Sequence, residues 1–206
     1  MFLRKSKTIP ERSARCIMIQ IFRGLQYLNS QKPKIIHYDM KPNNILFHRG
    51  EIKIADFGLS KLIEDSSSDN MELTSPGYGS YWYLPPECFA VGEGHSTPVI
   101  SSKVDVWSVG IIFYQLLYGK RPVGHDLQAG KVLIDKILNS KELEFPEKPL
   151  VSQEAKDFIK RCVNVDVRMR PEVSTIFQDP YLDAFVPSNG KLSRRKSTLV
   201  PEFSDS

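Results

Sequence analysis

Cysteine is scarce in this chain: Cys16, Cys88 and Cys162 are the only three among 206 residues, far apart and without Cys-x-x-Cys spacing. That argues against a disulfide framework and a zinc site and fits reduced thiols in cytosol or nucleus. Long apolar runs are missing too. No stretch approaches the ~18 residues a membrane span needs, so no membrane insertion is expected. Met1-Phe2-Leu3 is cut short by Arg4, Lys5 and Lys7, which leaves no room for a secretory leader. Charge of one sign is in small excess, with 28 Lys and Arg against 24 Asp and Glu giving +4, part of it from Lys191, Arg194, Arg195 and Lys196. No internal repeat is present. A hydrophobic share of 41% and a charged share of 25% are ordinary for one globular unit. The expected division is a folded domain over 1–186 and a disordered basic tail over 187–206, too polar to bury a core. The tail reads as a solvated charge run, with steering toward nucleic acid, an acidic partner or an import receptor as the alternative. Ser197 beside those bases is a candidate phosphosite.

Thr8-Ile9-Pro10-Glu11 has the form of a capping box. Ala14, Ile17, Met18, Ile21, Leu25 and Leu28 follow at the three- and four-residue spacing of a helix face, ending at Asn29 to Pro33. Ile45-Leu46-Phe47 and Ile52-Lys53-Ile54-Ala55 predict two strands joined by a turn at His48-Arg49-Gly50. Lys103 to Tyr118 is apolar on nearly every face, as befits a helix surrounded by others, with Gly119 as a left-handed terminator. Further helices are expected over 127–139, 153–163 and 171–178, with Ser152 as an N-cap and Pro171 in a first turn.

The densest chemistry lies in His37-Tyr38-Asp39-Met40-Lys41-Pro42-Asn43-Asn44, followed across the hairpin by Asp56-Phe57-Gly58. A base, a cation and two metal-ligand side chains gathered near one point suit transfer of a phosphoryl group. Its loose transition state needs positioning and charge neutralisation more than covalent help. The two motifs resemble the catalytic loop and magnesium-binding segment of protein kinases. Asp-x-Lys-x-x-Asn alone is a weak signal that any solvated polar loop would give; joined to Asp-Phe-Gly at hairpin distance it is specific. The resemblance implies that Asp39 accepts or orients the proton of an incoming hydroxyl and that Lys41 faces the phosphoryl oxygens. Asn44 and Asp56 then offer hard oxygens to Mg2+, whose shell is completed by waters and the phosphates of ATP. His37 is expected as a buried support packed on Phe57, and Gly58 as a structural neighbour; His48, His95 and His125 receive no role.

Gly79-Ser80-Tyr81-Trp82-Tyr83-Leu84-Pro85-Pro86-Glu87 resembles the kinase segment that seats the residue following the phosphate acceptor. By that resemblance Ser80 bridges the catalytic Asp and Lys and, with Lys41, favours aliphatic hydroxyls over tyrosine. Glu87 is expected to pair with Arg170, and Asp105 to hold the catalytic-loop backbone from the central helix. No Gly-x-Gly-x-x-Gly loop and no Val-Ala-Ile-Lys-like strand precede His37. The expected fold is therefore mainly α, a kinase large (C-terminal) lobe with a small β-hairpin at the cleft and no small lobe, inactive or nearly so by itself. The polar composition of residues 59–84 marks an exposed segment where an activation loop would lie. Tyr38 stands where most loop-regulated kinases carry Arg, and tyrosine cannot give a bidentate charge-assisted contact. Phosphate on Ser66, Ser67, Ser68, Thr74 or Ser75 is expected to act differently here, or those side chains merely keep the loop soluble.

His-Tyr-Asp, Ala-Asp-Phe-Gly-Leu-Ser-Lys, Met71-Glu72-Leu73-Thr74-Ser75, Ser80 to Phe89, and Val104 to Gln115 together resemble the tousled-like protein kinases over most of residues 10–185. That family implies a nuclear serine/threonine kinase, with the cytoplasm as a further location, acting on histone chaperones. It also implies self-association through upstream coiled coils, none of which is in this chain, and no direct nucleic-acid binding by the lobe. A non-catalytic interaction module built on the same lobe is the competing expectation.

Overall fold

The computed structural model describes residues 8–64, 69–73, 79–89, 97–139 and 143–183. Helix α1, Glu11–Asn29, buries all six residues of the predicted stripe together with Ile19 and Phe22. Its start differs from the capping box. Pro10 occupies the cap without a side-chain hydrogen bond, and Glu11 turns away to accept from Ser152 N at 2.9 Å and Ser152 Oγ at 2.7 Å. Tyr181 Oη donates to the same carboxylate at 3.1 Å. A tertiary set of donors has displaced a local one.

Burial raises the pKa of Glu11, but the Ser152 and Tyr181 donors and the Arg15 guanidinium outweigh it and hold the carboxyl below its ordinary 4.5. The unfolded chain then takes up the proton more readily than the folded one, so stability drops as pH falls below about 4.5 toward the depressed folded value. Thermal melts of wild type and Glu11→Gln are expected to differ by a constant amount above that pH and to converge below it. An equal gap at pH 3 and pH 7 would contradict this.

The predicted hairpin forms from β2, Ile45–His48, and β3, Glu51–Ile54, in the register Ile45↔Ile54 to His48↔Glu51. Its turn is two residues, Arg49 and Gly50, both at positive φ (50° and 80°), the geometry that matches strand twist in tight hairpins. Two further pairs link segments distant in sequence: β1, Lys34–Ile36, with β4, Lys61–Ile63, and β5, Asn70–Glu72, with β6, Val99–Ser101. The polar stretch expected over 59–84 is thus tied by strands on both sides. Ser66, Ser67, Ser68, Thr74, Ser75, Ser197 and the tail lie outside the described residues.

Helix α2, Lys103–Tyr118, buries every residue except Lys103 and Gln115, and Gly119 closes it at φ 72°. It is the post of the main core. Ile9 N donates to its Leu116 O at 2.8 Å, fixing the entry of α1, and Phe22, Phe113, Phe158 and Tyr181 interlock with centroids 5.3–6.1 Å apart. Helix α3 spans Lys131–Asn139, α4 Gln153–Cys162 and α5 Pro180–Asp183. α3 starts later than predicted, after Gly130 at φ 153°. The segment expected as a helix from Pro171 is instead a 3-10 turn over Val173–Gln178, a geometry suited to such short pieces. At Gly110, α2 and α4 approach so closely that a Cβ would stand 2.7 Å from Cys162 Cβ and 2.9 Å from Val163 Cγ1. Among the described residues no helix is long and apolar enough to cross a membrane.

A second, smaller core joins Ile36, Tyr38, Ile63, Leu73, Leu84, Cys88, Ile100 and Val104. It lies under the loop that carries the site.

Candidate active site

After β1 the chain turns sharply. Tyr38 takes a left-handed φ of 68°, and Asp39 N donates to His37 O at 2.9 Å. What holds the turn is the carboxylate of Asp105 in the first turn of α2, which accepts from His37 N and Tyr38 N, each at 2.8 Å. Complete burial pushes this carboxyl upward, while His37 and the two amides pull the other way; with both oxygens accepting from backbone N–H, the geometry is that of a carboxylate. A buried anion serves here as a template for backbone.

The result is a carboxylate, Asp39, that is 5% exposed and engaged on both oxygens. Oδ1 accepts from Ser80 Oγ at 2.9 Å. Oδ2 accepts from Lys41 Nζ at 2.5 Å and Asn44 Nδ2 at 3.2 Å, and the same amide nitrogen also donates to Asp39 O at 2.9 Å. Ser80 therefore touches the aspartate, while the lysine engages its other oxygen; no bond joins Ser80 to Lys41. With its nitrogen committed to Asp39, the carboxamide of Asn44 could offer its oxygen to a cation.

The hairpin brings the second motif alongside. Asn44 O accepts from Ala55 N at 2.9 Å, and His37 Nε2 lies 3.1 Å from Ala55 O, which casts that nitrogen as the protonated one. Asp56 is thus adjacent to a residue bonded to both ends of the His37–Asn44 loop. Its own φ is 66°, and its Oδ1 accepts from Gly58 N at 3.3 Å. A Cβ on Gly58 would stand 3.3 Å from that oxygen. No side-chain bond joins Asp56 to Asp39 or Asn44. His37 is fully buried and meets Phe57 edge-on at 5.0 Å, yet Phe57 keeps 46% of its surface exposed. Among the described residues no three His, Cys, Asp or Glu side chains cluster as a ready metal cage. One carboxamide and one carboxylate oxygen suit a hard cation that takes its other ligands from phosphate and water.

The segment after Gly79 is fastened from below. Trp82 Nε1 donates to Leu127 O at 3.0 Å, Tyr83 Oη to Gln115 Oε1 at 2.7 Å, and Ser108 Oγ lies 2.7 Å from Tyr83 O. Glu87 meets Arg170 through two oxygens at 2.6 and 3.2 Å. Arg170 also donates to Lys103 O and Asn164 O and lies 5.1 Å from the centre of the Trp107 ring. Of the pairings expected from the sequence, Glu87 with Arg170, Asp105 with the backbone of residues 37 and 38, and Ser80 with Asp39 form, while the expected contact of Ser80 with Lys41 does not. Sequence reasoning did not find the burial of Tyr38 in the second core, for which no local signal exists.

The protein kinase domain model matches residues 1–182. The chain is 55% identical over 184 residues to the serine/threonine-protein kinase TOUSLED of Arabidopsis thaliana, covering 87% of this chain and 26% of that protein. It is 52% identical over 189 residues to the human serine/threonine-protein kinase tousled-like 2, covering 88% and 24%. Against tousled-like 1 of Caenorhabditis elegans the identity is 48% over 180 residues, 84% of this chain and 18% of that one. The chain thus spans about a quarter or less of the length of these relatives. Its helices and small antiparallel sheets are part of a protein kinase domain, and the chain belongs to the tousled-like serine/threonine kinases.

Proposed function

We propose that the chain is the large lobe of a kinase domain that moves the γ-phosphoryl of ATP to serine or threonine hydroxyls of a protein substrate. One observation carries this reading: Ser80, Lys41 and Asn44 all converge on the buried carboxylate of Asp39. A carboxylate offers about four lone-pair directions. Two on Oδ2 and one on Oδ1 are taken, so one on Oδ1 is left for an acceptor hydroxyl. Held this way, Asp39 orients the hydroxyl and receives its proton as the oxygen attacks. Lys41, with 26% of its side chain exposed, reaches the open side where transferring oxygens would gather. Asn44 Oδ1 and the Asp56 carboxylate would hold Mg2+, and magnesium with ATP supplies the phosphoryl group and neutralises charge on its oxygens. Histone chaperones as substrates, nuclear placement and self-association through regions outside this chain are part of the same proposal and rest on family resemblance.

The test is a comparison of phosphate incorporation by the chain alone and by the chain joined to a nucleotide-covering small lobe. The joined form is expected to label serine and threonine only when Mg2+ is present, and the chain alone to label little or none. A folded joined form that binds Mg-ATP yet transfers nothing would overturn the reading in favour of an interaction module.

A further inference from the structure

Tyr38 breaks several local rules at once. Its φ of 68° lies in a region that a bulky side chain rarely enters. Its ring is 1% exposed, and its hydroxyl is buried with no hydrogen-bond partner. The neighbouring Cys88 thiol is at best a weak partner, and burial pushes both groups upward, so both stay neutral. An unsatisfied buried hydroxyl weakens a fold. The hydroxyl therefore does not account for the residue; the ring does.

The ring sits where several parts of the chain meet. It packs in the core formed by Ile36 and Ile63 of the β1–β4 pair, Ile100 of β6, Val104 of α2, and Leu73, Leu84 and Cys88. Leu73 and Leu84 stand on either side of the segment that contains Ser80, and Leu73 N is fixed to Pro98 O at 2.7 Å. On its backbone side Tyr38 donates to Asp105 at 2.8 Å, and the next residue is Asp39. Lys61 Nζ lies 5.5 Å from the ring centre, and Glu87, committed to Arg170, is the anion that faces the phenol. The surroundings select an uncharged ring.

We propose that Tyr38 is a positioning residue, an apolar peg that seats Leu84, and with it the nearby Ser80, in register with the carboxylate of Asp39. The proposal rests on the reading of Asp39 as the base and adds to it the means by which base and acceptor platform are aligned. Misplacement by an ångström can lower a rate by about a hundredfold, so loosening the peg acts on turnover.

The experiment uses the kinase carrying this chain together with its small lobe, as wild type, Tyr38→Phe, Tyr38→Leu, Tyr38→Ala and Asp39→Asn. Tyr38→Phe is expected to keep kcat within about twofold and to melt at or above the wild-type temperature, because only the unsatisfied hydroxyl is removed. Tyr38→Ala is expected to lower kcat by about tenfold or more with the KM for ATP unchanged. Hydrogen exchange at residues 71–73 and 80–84 should accelerate while the interior of α1 keeps its protection. Should the alanine variant fail to fold, Tyr38→Leu, a smaller apolar filler, is expected to show the same changes in weaker form. A folded Tyr38→Ala or Tyr38→Leu with wild-type kcat and exchange, or a Tyr38→Phe as impaired as Tyr38→Ala, would overturn the proposal. If Asp39→Asn retains full turnover, the base assignment fails, while the exchange data still judge the peg.

Discussion

Arg170→Ala is expected to lower the melting temperature by roughly 6–20 °C. Breaking a buried ion pair by removing one partner costs about 3–5 kcal/mol, and a domain of this size loses about 2–4 °C per kcal/mol. The guanidinium is wholly buried, and Glu87 is 18% exposed at its side chain. Removal leaves the Glu87 carboxylate and the carbonyls of Lys103 and Asn164 without their donor. The cavity also undoes the packing on Trp107. Lysine would not substitute, because a point charge cannot span both oxygens. Arg168, two residues away and 85% exposed in its pair with Asp166, is the natural control, and its alanine variant should melt like wild type. Equal melting temperatures for Arg170→Ala and Arg168→Ala would contradict the argument.

Asp39→Asn is expected to slow turnover of the kinase with its small lobe by about 10²–10⁴, the usual worth of a positioned general acid–base group. Asparagine nearly matches the shape but presents one oxygen and one NH2 where Ser80, Lys41 and Asn44 together require acceptors on both sides. One donor must then face another, and the lysine loses its counter-charge. The free lone pair on Oδ1 is either gone or taken. Steady-state kinetics checks this, with circular dichroism and a thermal melt to establish that the variant folds. Turnover within tenfold of wild type would remove Asp39 from the base role.

The sequence carried those features that local physics determines. The boundaries of α2 followed from a run apolar on nearly every face and closed by Gly119, and the hairpin from two apolar strands around Arg49-Gly50. The spacing Asp39, Lys41, Asn44 places three side chains on one short loop, so that cluster was legible as well. What stayed hidden depends on distant partners. Three-residue strands such as Lys34–Ile36 and Asn70–Glu72 have no register until the chain closes around them. Glu11 looked like a cap because Thr8 stands three residues before it, yet Ser152, 141 positions away, supplied better donors. The segment Val173–Gln178 has apolar residues at helical spacing, yet it winds as a 3-10 turn.

Gly110 lies five residues along α2 from Asp105, and the tight approach of α4 behind it leaves no space for even a methyl group. Any side chain at this position would have to push the two helices apart. The helix so displaced is the one whose Asp105 carboxylate holds the amides of His37 and Tyr38, so the bare backbone at Gly110 also guards the turn that presents Asp39.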